Sequence, residues 1–238
     1  MIAHLPDNLA RLHDGEEFLR GKSIDALRDA RLRLHAEIVE HAMNMADGLR
    51  QFPTDDEDLK LIQVLGIRTF NAFGAAMTLS LSGYYQNAAL IMRDVLETTF
   101  LIDLFRGDRT LIAKWRVADK AARLKDFAPV KVRTRLDDRD GFTERKRAAM
   151  YDLFSELAGH ATMASIAMLR PKGMDAQIGP FFDATALEAV LSEMGRLAAQ
   201  VGEQIDAFMP DPKGQARALR YGFASAKATW MTTFYGKE

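Results

Sequence analysis

The chain contains no cysteine. That excludes a disulfide framework, a thiolate metal site and a cysteine nucleophile. It fits a reducing compartment, so the expected location is cytoplasmic. Proline and glycine are sparse, at 7 and 16 of 238 residues. With few backbone breakers and many Leu, Ala and Met residues, the composition favours helix over strand. An excess of one charge is also lacking, since 32 Lys and Arg face 33 Asp and Glu. There is no glycine-rich phosphate loop, no serine-nucleophile elbow and no His-Glu-x-x-His pattern, which removes the usual signatures of three large enzyme classes. The opening residues have no basic region followed by an apolar run, so no secretory leader is expected.

Charge is missing altogether between Thr69 and Met92. The run is long enough to span a bilayer. It nevertheless carries Asn71, Ser80, Ser82, Gln86 and Asn87, and it breaks at Gly83-Tyr84. Two buried helices meeting at a turn are the expectation, with no membrane as partner.

What is present is ordinary for a globular chain, with 48% hydrophobic and 27% charged residues. The length suits one domain with a sizeable core. The reading is a single helical domain over 1–238, with 1–22 as a peripheral N-terminal helix. Ser23 is read as the cap of a helix to Leu49, because Leu27, Leu34, Ile38, Met45 and Leu49 fall on one helical face. Thr54-Asp55-Asp56-Glu57 reads as a capping box, and Thr185-Ala186-Leu187-Glu188 as a second. Between them lie a nearly all-apolar helix from Tyr84 to Phe105, one helix over 109–127, a charged irregular stretch over 130–141 and a helix over 143–157. Apolar runs flanking Pro171-Lys172-Gly173 suggest strands. Pro210-Asp211-Pro212 should end the helix that starts near Thr185, and a last helix should follow. The predicted fold class is all-α: a multi-helix bundle with a small β-hairpin or extended excursion near residues 164–182.

Three features carry chemistry. Arg93 and Glu97 share a face with Ala89, Phe100 and Leu104, a charge pair among apolar neighbours. Such a pair either fixes helix register or orients a substrate. His160 ends a helix that carries Tyr151 and Ser155, where an imidazole can exchange protons or simply cap carbonyls. Residues 106–147 hold 14 Lys and Arg against 7 Asp and Glu, a net of +7 that leaves −8 elsewhere. Within that segment Arg133, Arg135, Arg145, Lys146 and Arg147 are candidate phosphate contacts for nucleic acid. A solvated charged face is the plainer reading. His41 lies on an apolar stripe and reads as a core histidine. Glu37 and His41 have no second pair to complete a metal site, so neither metal nor cofactor is expected.

Gly83-Tyr84-Tyr85-Gln86-Asn87-Ala88-Ala89 leading into Arg93-Asp94-Val95-Leu96-Glu97, followed by a Tyr151…Ser155…His160 helix, resembles a group of uncharacterised bacterial all-helical proteins. The resemblance covers roughly residues 60–165. It implies a helical fold with Arg93, Glu97 and His160 close together, and no settled activity. The group is distantly similar to HEPN domains, some of which are metal-independent ribonucleases. Their Arg four to six residues before His is absent ahead of His160.

Three functions remain open on the sequence. The first is a binding or regulatory module acting as a homo-oligomer, with a protein partner. The second is an RNA-processing enzyme in which Arg93 steadies an oxyanion and His160 serves as acid or base beside Glu97. The third is a bundle that binds a small ligand near Tyr84, Tyr85 and Trp115, with Tyr151 and Ser155 as further contacts.

Overall fold

A computed structural model describes residues 5–171, 173–210 and 214–236. Helix α1 spans Asp7–Ala26, α2 Ala30–Arg50, α3 Glu57–Leu81 and α4 Tyr85–Gly107. Then come α5 (Thr110–Val117), α6 (Lys120–Phe127), α7 (Pro129–Asp140), α8 (Lys146–Phe154) and a π-helical turn at Ser155–Gly159. The chain continues with α9 (Met163–Ala167), α10 (Ala184–Asp206) and α11 (Gln215–Tyr235). The fold is an all-α bundle with no strand among the described residues.

Several helix boundaries differ from the sequence reading, each for a local reason. Ser23 is not a cap but a buried residue inside α1. The break comes later, where the Asp29 carboxylate accepts from Leu32 N at 2.9 Å and starts α2. Asp56, not Thr54, caps α3, accepting from Asp58 N at 2.9 Å. The single helix expected over 109–127 is two, because Asp119 accepts from Ala122 N at 2.8 Å and restarts the chain as α6. The stretch read as irregular over 130–141 is helix α7. Pro129 begins it where its missing N–H costs nothing, and Gly141 ends it in the left-handed region. Asp183, not Thr185, caps α10 through Ala186 N at 3.0 Å.

Of the hairpin or extended excursion expected near 164–182, no hairpin is present among the described residues. Thr162 and Ser165 cap each other reciprocally and wind the chain into α9 instead. A turn-rich loop follows, closed by Gln177 N to Leu169 O at 3.0 Å. Gly173 and Gly179 have φ of +76° and +88°, which no regular strand adopts. Lys172, Asp211 and Pro212 lie outside the described residues.

The core lies where α2, α3, α4 and α10 pack together, with α11 along α2. Ile38, Met45 and Leu49 of the expected stripe are fully buried, as are Leu187, Leu191 and Met194 of α10. Burial of α4 on most sides matches its nearly continuous apolar sequence. α3 is the one described helix whose length and composition would suffice to cross a membrane. It meets α4 through the turn expected at Gly83, whose φ is +86°. A Cβ there would lie 2.4 Å from Phe181 O, so the loop before α10 closes directly over this turn.

Candidate functional site

Arg93 and Glu97 sit one turn apart on α4, with Nε 3.3 Å from Oε1. Their side chains are 24% and 33% exposed, so the pair is half-open and not sealed in the core. Arg93 also donates to the Tyr151 hydroxyl and lies over its ring at 4.6 Å. The π-helical turn makes that meeting possible. Ser155 Oγ donates back to Tyr151 O at 2.9 Å, and His160 N to Ser155 O at 3.1 Å. The widened turn presents Gly159 to Arg93, whose Nη1 is 2.7 Å from the place a Cβ would occupy.

His160 is not part of this contact. The chain leaves the helix at His160 in an extended conformation, and the residue is exposed. Its imidazole makes no hydrogen bond or ion pair with Arg93 or Glu97 among the described residues. Arg93, Glu97, Tyr151 and Ser155 are therefore brought together, while His160 stands outside them.

A second guanidinium completes the cluster from α7. Arg133 packs over the Tyr151 ring at 3.8 Å. It is only 9% exposed, and its Nε and Nη1 are sealed from solvent with no hydrogen-bond partner. Arg133 and Glu97 both reach a cleft of about 280 Å³ between α3, α4, α5, α6 and α7. Leu65, Phe100, Leu101, Trp115, Phe127 and Val132 form its apolar walls. At its edge Arg68 pairs with Asp94 at 2.5 Å. Trp115 is steadied by Phe105, whose ring centroid is 6.3 Å away, and by Arg123 stacked over it at 4.8 Å.

The two tyrosines at the start of α4 serve elsewhere. Tyr84 donates to Glu16 Oε1 at 2.7 Å, tying α1 to the bundle. Burial and the Glu16 carboxylate push its phenol up to about 12. Tyr85 is buried edge-on to Phe181, accepts from Asp183 N at 3.1 Å and has its pKa raised by burial. Of the three aromatics proposed for a ligand pocket, Trp115 alone lines the cleft.

The expected phosphate contacts also divide. Arg147 is 15% exposed and bound by carboxylates, with Asp137 at 2.8 Å and Asp140 beside it. Asp103, in the same network, takes both terminal nitrogens of Arg139 at 3.2 Å. Arg139 and then Arg147 hold the Asp140 carboxyl down at about 2. Lys146 pairs with Glu144 at 2.7 Å, and Arg145 has a left-handed backbone with φ of 51°. Arg135, Arg145 and Lys146 are exposed, whereas Arg133 and Arg147 face inward. Arg147 is thus committed to carboxylates of its own segment, pairs that leave the net charge of the segment unchanged.

Among the described residues no three His, Asp or Glu side chains gather as a metal site requires. No family model, curated protein or solved structure matches the chain. Sequence reasoning missed Arg133's role in this cluster because α7 was read as irregular. Pro129 and Gly141 bracketing Val132 and Leu136, four residues apart, were the available signal.

Proposed function

We propose that this protein is a helical bundle whose task is to bind a small organic ligand in the cleft between α4 and α7. The observation that carries the reading is the cleft's make-up. Aromatic and aliphatic walls enclose about 280 Å³, and Arg133 and Glu97 converge on it from two helices. Small-molecule sites combine mostly apolar linings with a few placed polar groups, and this volume is near their lower limit. Every wall lies on a helix, which holds the lining side chains more rigidly than loops would.

The same geometry favours binding over proton-transfer catalysis. A general base must reach the group it serves within hydrogen-bond distance. Glu97 is paired with Arg93, and His160 is exposed with no hydrogen bond or ion pair to either among the described residues. The test is a nuclear magnetic resonance screen with small aromatic fragments on wild type and on Leu101→Phe, which fills the cleft. Shifts confined to Leu65, Thr98, Leu101 and Val132, and lost in the filled variant, are expected. Shifts scattered over the surface, or unchanged by Leu101→Phe, would refute the reading.

A further inference from the structure

Arg133 has an unusual electrostatic position. The residue is more than nine-tenths buried. Nε and Nη1 are enclosed without a hydrogen-bond partner, and no carboxylate lies within ion-pair distance of the guanidinium among the described residues. A long basic side chain normally snorkels to water or finds an anion, because burying a lone charge is costly. The Tyr151 ring at 3.8 Å offsets only part of that cost.

The neighbouring carboxylates have nearer cations. Asp94 accepts from Arg68 at 2.5 Å, and Glu97 lies at ion-pair distance from Arg93 Nε, 3.3 Å, without a hydrogen bond. Arg133 is thus the one cation lining the cleft that has no ion pair among the described residues, and Trp115 and Phe127 wall the same cleft.

We propose that the ligand is an organic monocarboxylic acid with a compact aromatic or apolar body. This inference rests on the reading of the cleft as a ligand site. The carboxylate accepts from Arg133 Nη2 and, after a small turn of the guanidinium, from Nη1. The body lies against Trp115 and Phe127. One unpaired guanidinium matches a monoanion. A dianionic phosphate ester would leave a negative charge uncompensated in the cleft, beside Asp94 and Glu97. A cationic ligand would leave that guanidinium unpaired.

The experiment titrates benzoate, phenyl phosphate and benzamide, following backbone amide shifts of the cleft residues. Benzoate is expected to bind about tenfold more tightly than benzamide, as a charge-assisted hydrogen bond predicts. It should also bind more tightly than phenyl phosphate. Arg133→Met should remove the preference for benzoate over benzamide while leaving benzamide binding in place. The wild-type comparison needs no variant, so it decides the matter even if Arg133→Met fails to fold. Equal binding of benzoate and benzamide in the cleft would overturn the acid and leave the ligand site standing. Stronger binding of phenyl phosphate would overturn the monoanion. No shift at the cleft with any of the three would overturn the acid and the ligand site together.

Discussion

The Trp230 indole donates to Nδ1 of His35 across 2.9 Å, joining α11 to α2 inside the bundle. The imidazole is 2% exposed, stacked on Phe234 at 4.2 Å, and pressed against Gly195 of α10. Nδ1 must be unprotonated to accept this bond. Burial, and then the charges of Arg196 and Arg31, lower the His35 pKa to about 4.

This pair makes stability depend on pH in a defined window. Unfolded, His35 takes a proton near 6.5, whereas folded it stays neutral down to about 4. The unfolded state therefore binds more protons between those values, and stability falls as pH drops through them. The contribution is complete above the unfolded pKa and amounts to at most about 3 kcal/mol. Urea unfolding at pH 7.5 and 4.5 should show the loss in wild type and a smaller pH-dependent loss in His35→Gln. The Asp140 contribution is separable, because it disappears between 3.8 and about 2.

The Arg147 network is expected to behave as scaffold. Arg147→Met removes the partner of Asp137, leaving that partly buried carboxylate uncompensated, and takes one of two guanidinium partners from Asp140. A loss of about 3 kcal/mol in denaturant unfolding is expected. Arg135→Ala, on the exposed side of α7, should change stability by less than about 0.5 kcal/mol. Equal small effects would return Arg147 to the set of free surface cations.

Arg93 and His160 should separate in the same assay. Arg93→Met loses the contacts to Glu97 and Tyr151, and a cost of about 1 kcal/mol or more is expected. His160→Ala touches an exposed side chain and should fall within about 0.5 kcal/mol of wild type. A strongly destabilised His160→Ala would mean that its imidazole is held in a way this geometry does not contain.

Gly83→Ala should be among the most damaging single-methyl changes in the chain. It places a Cβ at a positive φ and 2.4 Å from the Phe181 carbonyl oxygen. The left-handed backbone alone costs a non-glycine residue about 1 kcal/mol, and displacing the loop adds to it. Thermal unfolding is expected to show a loss above about 2 kcal/mol. By contrast, Gly159→Ala meets only the far end of the Arg93 side chain, so it should displace Arg93 from Tyr151 at smaller cost.

Periodicity and punctuation in the sequence determined the helical class, the buried faces of α2, α4 and α10, and the turn at Gly83. Those signals are local, since a stripe at helical spacing or a glycine at a break acts within a few residues. Arg93 and Glu97 were legible for the same reason, being one turn apart on one helix. Only the tertiary structure decided that they lie half-open beside Tyr151, that His160 is exposed and bonded to neither, and that Arg147 is spent on Asp137 and Asp140. It alone brought Arg133 onto a tyrosine 18 residues further along the chain and into a cleft shared with Trp115. Contacts of that kind depend on how separate helices pack and on which charges burial leaves unpaired, and no local pattern encodes either.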